Sequence, residues 1–176
     1  MATEFEAKIL DIDVDSIIIK LNSLGAKKIL ERDMRRYVYD FNPKRDDSWI
    51  RLRDDGEKCT LTIKEIHDDS VSGTEETEII VSSFNDTNIL LGKLGYSPKG
   101  YQENKRISYS LEGTAIEIDF WPLIPPYIEV EAESSKKVKE TLEKLGFSIE
   151  QSTSQNTTKV YARYGIDIAS IKELKF

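Results

Sequence analysis

Hydrophobic residues recur along this chain with two different periods, and the changes between them divide it into helices and strands. Four stretches have the three-to-four-residue spacing that places apolar side chains on one face of a helix. The first begins after Asp13, a residue suited to an N-cap, and aligns Val14, Ile17, Leu21 and Leu24. The other helices are predicted near 85–94, 134–145 and 157–164, and a short helix is predicted after 167.

Each of the first three predicted helices is followed by a glycine in a similar context. The three segments are LNSLGA at 21–26, LGKLGY at 91–96 and LEKLGF at 142–147. A glycine directly after a helix readily takes the positive φ that ends it. We therefore predict that these helices end just before their glycines.

Between the helices the pattern changes to alternation of apolar and polar residues, which is typical of strands with one buried face. Eight such segments lie near residues 2–10, 27–41, 48–55, 58–66, 73–82, 99–111, 114–121 and 127–133. RDDGEK at 53–58 predicts a hairpin turn, because Asp-Gly accommodates the positive φ of tight turns. HDDSVSG at 67–73 predicts a loop. The predicted fold class is α+β, with one large antiparallel sheet and helices packed against it.

The polar face of these strands is strongly charged, and the two signs fall largely on different strands. Its basic residues are Lys8, Arg51, Arg53, Lys64 and Arg106. Its acidic residues are Glu4, Glu6, Glu76, Glu78, Asp119, Glu129 and Glu131. An open sheet with this face in water is one explanation. The segregation of charge and the need of the helices for an apolar face to cover favour an eight-stranded antiparallel closed β-barrel with a charged interior and helices outside.

A charged interior requires partners for its charges, because burying an unpaired charge is costly. Arginine forks match the oxygens of a polyphosphate, and carboxylates match Mg²⁺ or Mn²⁺, which in turn bind phosphate. The single Cys59 and the single His67 exclude an internal disulfide and any Cys- or His-rich metal site. We therefore expect the interior to bind a small-molecule triphosphate chelated by a hard metal ion.

Length and composition limit the remaining function classes. A chain of 176 residues is predicted to form a single domain over residues 1–176. The net charge of −7 argues against a nucleic-acid partner. The chain has no apolar run of the roughly 20 residues that a membrane span needs and no signal-peptide pattern at its start, so we expect no membrane partner and a cytoplasmic location. The sequence leaves open whether the chain forms a homodimer.

The charged motifs, taken in order, resemble those of the CYTH, or triphosphate tunnel metalloenzyme, superfamily. They are Glu4-x-Glu6-x-Lys8, WIRLR at 49–53, LTIKE at 61–65, TEETE at 74–78, KRISY at 105–109, IEID at 116–119 and YIEVE at 127–131. The resemblance spans essentially the whole chain. This superfamily includes class IV adenylate cyclases, thiamine triphosphatases and inorganic triphosphatases, and the resemblance implies an eight-stranded tunnel that is open at both ends.

The resemblance also implies roles for these residues. Glu4, Glu6 and Glu131 would hold one ion, Mg²⁺ or Mn²⁺, that orients the triphosphate. Asp119 and Glu129 would help to hold a second ion that activates the nucleophile. The phosphate-binding residues would be Lys8, Arg51, Arg53, Lys64 and Arg106. The catalytic candidates are Lys8, Glu76, Glu78, Asp119 and Glu129.

One position departs from the pattern of the superfamily. Many members have a lysine two places before the arginine of the sixth strand, where this chain has Asn104. Either phosphate binding on that strand is weaker, or Lys105 compensates through a bulge that reverses its side.

Four further side chains leave alternatives open. Arg36 and Tyr39 have opposite parity, so without a bulge at most one faces the interior, and we include neither in the site. Trp49 and Trp121 share the parity of the charged face and would either stack on an organic group at the tunnel mouth or pack at the rim. For EQSTSQNTTK at 150–159, we favour an ordinary loop over a flexible lid.

The triphosphate site is compatible with three functions. We favour metal-dependent hydrolysis of inorganic tripolyphosphate or an organic triphosphate such as thiamine triphosphate, because no residue indicates an adenine pocket. The alternatives are a class IV adenylate cyclase, which converts ATP to cyclic AMP and pyrophosphate, and a non-catalytic binder of polyphosphate or a nucleotide. The cyclase is less favoured because the sequence shows no base pocket. The binder is less favoured because a pure anion binder does not need so many carboxylates.

Overall fold

The chain folds into nine strands and four α-helices over the residues described by this computed structural model, 2–67 and 74–176, with only the backbone described at 2–4. The strands are β1 (Ala2–Ile9), β2 (Lys27–Asp40), β3 (Ser48–Asp54), β4 (Cys59–Ile66), β5 (Thr74–Val81), β6 (Pro98–Leu111), β7 (Thr114–Phe120), β8 (Tyr127–Ala132) and β9 (Glu173–Leu174). The helices are α1 (Val14–Ser23), α2 (Phe84–Lys93), α3 (Ser135–Leu145) and α4 (Thr157–Arg163), with 3₁₀ turns at Ile149–Gln151 and Ile168–Ser170.

The first eight strands form one curled antiparallel sheet. Their order is β2-β3-β4-β5-β1-β8-β7-β6, and β2 pairs with β6 as well as with β3. The β2–β6 ladder is long and runs from Lys27 opposite Ser110 to Tyr39 opposite Pro98. The sheet therefore curls until its ends meet, and one face lines an interior.

The structure is a curled half-barrel rather than the fully closed barrel predicted, and the difference lies at the seam between β1 and β5 as far as the described residues show it. In the part of the chain that the structure describes, these strands pair between Ala2–Glu4 and Thr74–Glu76. Beyond Glu4 the free edge of β1 is taken by the C-terminal part of the chain, where Lys8 and Thr153 exchange backbone hydrogen bonds of 2.8 and 2.9 Å. The sheet is therefore a curled half-barrel whose gap is partly covered by a segment from outside it.

The apolar face of the sheet is turned outward and is covered by helices. α1 and α3 pack on β1, β6, β7 and β8, with Leu21 and Leu142 fully buried between the layers. α2 covers β2, β3 and β4, where Phe84 and Leu91 pack against Leu52. Burying one such side chain contributes about 1.5–3 kcal/mol. This helical cover stabilises a sheet whose other face is charged.

The helix boundaries agree with the signals predicted from the sequence. The side chain of Asp13 accepts a hydrogen bond of 2.8 Å from the backbone N–H of Ser16 and so caps α1. Gly25, Gly95 and Gly146 follow their helices with φ values of 75°, 91° and 96°. The three predicted glycine ends are confirmed.

Two sequence predictions have a different outcome. The loop predicted at 67–73 lies outside the described residues, apart from His67. The strand β9, which pairs in parallel with Tyr101 and Gln102 of β6, was not predicted. Two residues are too few for a periodic pattern, and this strand forms only because tertiary contacts bring it to the edge of β6.

Gly100 allows the C-terminal segment to reach β6. A Cβ at this position would lie 2.8 Å from the backbone oxygen of Ile171 and 3.4 Å from that of Lys172. The backbone of Lys172 accepts a 2.9 Å hydrogen bond from the N–H of Tyr101, so the two chains are held at this distance.

We expect Gly100→Ala to lower the free energy of unfolding by about 1–3 kcal/mol, because the backbone of Ile171 has to move away. The matched control is Gly92→Ala in α2, where no atom lies within 4 Å of the added Cβ. The control should be stabilised by roughly 0.5–1 kcal/mol. Urea unfolding of the three proteins measures both changes, and equal stability of wild type and Gly100→Ala would contradict the predicted clash.

Candidate active site

The inner face of the sheet lines a cavity of about 1250 Å³. Ten residues predicted from the sequence border it: Glu6, Lys8, Arg51, Arg53, Lys64, Glu76, Glu78, Arg106, Glu129 and Glu131. They meet there because inward-facing residues alternate along each strand and the register aligns the strands, as where Glu6 lies opposite Glu131. Small-molecule pockets typically measure roughly 300–1,000 Å³, so the cavity has room for more than a triphosphate.

Two predicted residues, Glu4 and Asp119, are not among these ten. Glu4 pairs through its backbone with Thr74, and its side chain lies outside the described part of the structure. Asp119 is 0% exposed and lies behind the guanidinium of Arg106. Asp119 therefore reaches a ligand in the cavity only if Arg106 moves aside.

Lys8 is the centre of a buried ion cluster at the junction of β1 and β8. Its Nζ donates a hydrogen bond of 2.7 Å to Glu6 Oε1 and lies 2.9 Å from Glu129 Oε2. Burial alone would lower the pKa of Lys8, but Glu129 and Glu6 outweigh it and raise the pKa above its ordinary value. Lys8 is thus a permanently charged ammonium that sits directly beside two carboxylates.

Arg106 holds the carboxylates of β7 and β8 together. Its Nε and Nη2 donate to the two oxygens of Asp119, at 2.8 and 2.6 Å, and Nη2 also lies 3.3 Å from Glu129 Oε1. Burial would raise the pKa of Glu129, but Lys8 and Arg106 lower it well below its ordinary value. Glu129 is therefore an ionised carboxylate shared between two cations.

The opposite side of the cavity repeats this arrangement on β3, β4 and β5. Arg51 Nη2 donates to Glu76 Oε1 at 2.9 Å and lies 3.5 Å from Glu78 Oε2. Lys64 Nζ lies 2.8 Å from Glu76 Oε2. Arg53 is only loosely paired, with 3.8 Å between its Nη2 and Glu78 Oε2. Repulsion from Arg51, together with burial, lowers the pKa of Arg53 to about 10.

Arg36 also borders the cavity, and sequence reasoning left it out. Its Nε donates a hydrogen bond of 2.8 Å to Gln102 Oε1. Tyr39, with the opposite parity, is fully buried on the outer face and donates to Asn88 of α2. The signal that could have found Arg36 is the pair Tyr37 and Tyr39, because burying both under a helix turns Arg36 inward.

Lys105 does not replace the lysine that is missing at Asn104. The β6 register has no shift between Asn104 and Arg106, and Lys105 points outward, where Nζ lies 3.7 Å from Asp33 Oδ1. Asn104 is buried beside Asp119, with its amide nitrogen 3.5 Å from Oδ1. The alternative of a bulge at this position is wrong. In the described part of β6, the cations that border the cavity are Arg106 and, near the start of the strand, Lys99.

The two tryptophans differ in their surroundings. Trp49 is partly exposed and borders the cavity. Trp121 is 5% exposed and packs edge-on against Tyr161 of α4, with ring centroids 6.3 Å apart. Trp121 is therefore an internal residue of the cavity wall rather than a residue of an open rim.

The segment 150–159 is ordered against β1 and is not an ordinary loop. Besides the Lys8–Thr153 bridge, the hydroxyl of Ser154 donates a 2.8 Å hydrogen bond to the backbone oxygen of Glu6. α4 follows directly, and Thr157, Thr158 and Lys159 border the cavity. The polar composition of this segment did not indicate that it lines the cavity, because the contacts that order it come from β1, far away along the chain.

Comparisons with known proteins agree with this geometry. The family model described as the CYTH domain matches residues 2–163. The chain belongs to the CYTH family. Comparison with curated protein sequences found no match.

Solved structures share the fold of this CYTH chain. A conserved hypothetical protein from Pyrococcus furiosus has a TM-score of 0.77 and 21% identity, and the match covers 88% of this chain and 98% of that one. A candidate adenylate cyclase from Vibrio parahaemolyticus has a TM-score of 0.76 and 12% identity, with 91% and 98% covered. A candidate adenylyl cyclase from Hippeastrum, described as having a dominant triphosphatase activity, has a TM-score of 0.62 and 19% identity, with 97% and 99% covered.

None of the helices in the described part of the CYTH chain has the length and apolar character needed to cross a membrane.

The carboxylates of β1 and β8 form the part of the CYTH cavity that best fits a hard cation. Burial and the neighbouring Glu129 and Glu6 raise the pKa of Glu131, so negative charge is concentrated here. Among the described side chains, 5–67 and 74–176, no group of three Asp, Glu, His or Cys is close enough to hold a metal ion. Glu6 and Glu131 provide two facing carboxylates on β1 and β8, and the side chain of the third predicted ligand, Glu4, lies outside the described part of the structure.

We expect Glu131→Gln to raise the melting temperature of EDTA-treated protein at neutral pH, because it removes a charge that its neighbours disfavour. The folded-state pKa is raised above the ordinary 4.5, so the ionised carboxylate costs stability above that pKa. The difference between variant and wild type should shrink as the pH falls through the raised pKa to below 4.5.

The same variant should lose the increase in melting temperature that Mg²⁺ or Mn²⁺ gives the wild type. Glu140→Gln is the matched control, because Glu140 forms only an exposed ion pair with Lys136 on α3. An equal metal response in all three proteins would rule out Glu131 as a ligand.

Proposed function

We propose that this protein is a metal-dependent triphosphatase that hydrolyses inorganic tripolyphosphate or an organic triphosphate such as thiamine triphosphate. The observation that supports this most strongly is the lining of the cavity. Guanidinium and ammonium groups from five strands alternate with carboxylates from four strands around one space. Phosphate oxygens and a chelating metal ion together satisfy both kinds of group.

In this proposal the cations of the cavity bind and orient the phosphate chain. Lys8, Arg51, Arg53, Lys64 and Arg106 are the phosphate-binding residues. Preorganised positive groups of this kind stabilise the charge that develops on the transferred phosphoryl group. Because each strand holds its residue in a fixed register, the substrate is positioned without rearrangement of the sheet.

The carboxylates supply the metal ligands and the remaining catalytic groups. Glu4, Glu6 and Glu131 hold one ion, and Asp119 and Glu129 contribute to a second. Mg²⁺ or Mn²⁺ bound there would neutralise phosphate charge and activate the attacking water. Glu76 and Glu78 lie beside Arg51 and are the acidic groups that we assign to the reacting end.

Substrate binding in this scheme exchanges the partners of the buried charges. Arg106 bonds to Asp119 and Glu129, which are both proposed metal ligands. Phosphate oxygens bound to Arg106 would replace these carboxylate partners, and Asp119 and Glu129 would then be available as metal ligands. The exchange keeps every buried charge paired, which offsets the cost of moving them.

One observation favours a second candidate, the conversion of ATP to cyclic AMP and pyrophosphate. The cavity of about 1250 Å³ has room for a nucleoside, and Trp49 borders it, where its ring would stack on a base in this second candidate. The same cations would bind the triphosphate, and the 3′-hydroxyl would attack the α-phosphorus. The two candidates differ in which phosphorus meets the nucleophile.

The purified protein with Mg²⁺ or Mn²⁺ should release orthophosphate from tripolyphosphate or thiamine triphosphate, and EDTA should abolish the reaction. Assaying orthophosphate, pyrophosphate and cyclic AMP in parallel, with ATP as a third substrate, separates the candidates. Pyrophosphate together with cyclic AMP would replace the hydrolase by a cyclase. Tight binding without any product would indicate a non-catalytic binder.

The double variant Glu4→Gln and Glu6→Gln should lose at least about 100-fold in kcat/KM while it keeps its fold, because the charge that holds the metal is gone. Glu140→Gln with Glu143→Gln is the control, since both residues form exposed ion pairs on α3. Circular dichroism establishes folding and phosphate release measures activity. Full activity of the first variant would overturn the assignment of the metal site.

A further inference from the structure

Arg36 is held in a fixed position on the cavity wall by two neutral groups. Its Nε donates to Gln102 Oε1 at 2.8 Å, and its Cζ lies 4.4 Å from the ring centroid of Trp121. The hydrogen bond fixes one edge of the planar guanidinium, and the ring supports one face. Arg36 borders the cavity, and its hydrogen bond to Gln102 uses Nε rather than either Nη atom.

Trp121 is itself rigid, which makes the support of Arg36 rigid as well. Its ring meets that of Tyr161 at 88°, and the hydroxyl of Tyr161 donates a 2.7 Å hydrogen bond to the backbone oxygen of Pro122. Trp121 and Tyr161 are both almost completely buried. The platform under Arg36 is thus anchored to α4 and does not adjust freely when a ligand binds.

Arg36 differs from the other buried cations in lacking a carboxylate partner among the residues that the structure describes. Lys8, Arg51 and Arg106 each lie within 3 Å of at least one carboxylate oxygen. Within the described part of the chain, the partners of the Arg36 guanidinium are the amide oxygen of Gln102 and the ring of Trp121, neither of which carries a charge. Its positive charge is fixed in place without being neutralised.

Neighbouring cations make this arrangement unfavourable in the absence of an anion. Burial, with repulsion from Arg51 and Arg53, lowers the pKa of Arg36 to about 9. Arg53 lies directly opposite Arg36 in the β2–β3 register and is itself only loosely paired. Two poorly neutralised guanidinium groups are therefore adjacent on one wall.

The strand order places these groups across the cavity from the proposed metal ligands. β2 lies four strands from β1 in either direction around the sheet. Glu6 on β1 and Arg36 on β2 therefore belong to opposite walls of the same cavity. A phosphate chain that spans the cavity meets carboxylates and metal at one side and Arg36 at the other.

We propose that Arg36 and Arg53 form an anion subsite that binds one terminal phosphate group of the substrate, with Gln102 and Trp121 as positioning residues. This proposal rests on the proposed triphosphatase function. A terminal phosphate group has three free oxygens and up to two charges, whereas an internal one has two free oxygens and a single charge. Two neighbouring guanidinium forks, one without a carboxylate, match the terminal group best.

The test compares Arg36→Met with wild type in calorimetric binding of tripolyphosphate, with EDTA present. Methionine keeps an extended side chain over Trp121 and removes the charge and the fork. We expect affinity for tripolyphosphate to fall at least tenfold. Arg36→Lys, which keeps the charge but loses the fork, should lie between the two.

The melting temperature of the same variants without ligand provides a second readout. A subsite residue and a purely structural residue predict opposite changes in it. Removing a cation that Arg51 and Arg53 repel should leave the melting temperature of Arg36→Met equal to that of wild type or raise it. An arginine that only supported the wall would give a lower melting temperature with unchanged affinity, and this result would overturn the subsite.

Lys105→Met is the matched control, because it removes one positive charge from β6 on the outer side of the sheet. Its affinity should equal that of wild type, and an equal loss in both variants would overturn the subsite in favour of a general charge effect. Tripolyphosphate binding that depends on Arg36 without phosphate release would support the subsite and overturn the hydrolase. Phosphate release combined with binding that Arg36→Met does not affect would support the hydrolase and overturn the subsite. If the wild type does not bind tripolyphosphate, both the subsite and the hydrolase are overturned.

Discussion

A charge that leaves water has to find a partner, and this requirement shapes the interior of the molecule. The inward face of the sheet holds Lys8, Arg51 and Arg106, each within 3 Å of a carboxylate oxygen. Such pairs add little net stability, because desolvation offsets most of the attraction. In the proposed function, paired groups of both signs can be transferred to a ligand that offers both phosphate and metal.

The stability of the fold therefore comes from the other face of the sheet. Leu21, Leu52 and Leu142 are fully buried between strands and helices, and burial of such side chains is the main favourable term in folding. The usual arrangement of a small barrel, with an apolar interior and a polar exterior, is reversed. The three helices on the outside are a consequence, because the apolar face would otherwise meet water.

The contrast between a charged inner face and an apolar outer face makes the surroundings of Arg36 unusual. Most inward cations can be understood as half of a protein ion pair, but Arg36 is stacked on Trp121 and bonded to a neutral amide. A protein that keeps a buried charge without a partner loses stability at that point. Regions where stability is lost in this way are often those where function needs the unsatisfied group.

Much of the inward face was predictable from the sequence, because strand parity is a local property. Lys8, Arg51, Lys64 and Glu129 were assigned to the interior from alternation alone, and the structure places all four at the cavity. The ends of α1, α2 and α3 were predictable for the same reason, since a positive φ after a helix favours glycine regardless of its surroundings.

Several features of the site were not predictable, because they depend on contacts between distant parts of the chain. The edge of β1 at Lys8 is taken by Thr153, which lies far along the chain. Asp119 is hidden behind Arg106, and Lys105 stays outside because the β6 register continues without a shift.

The sequence by itself determined which residues face inward and where the helices end, since both follow from backbone geometry over a few residues. Only the tertiary structure decided which charges neutralise each other and that Arg36 has no carboxylate partner among the described residues. Pairing depends on distances between side chains from different strands, and no local pattern in the chain encodes those distances.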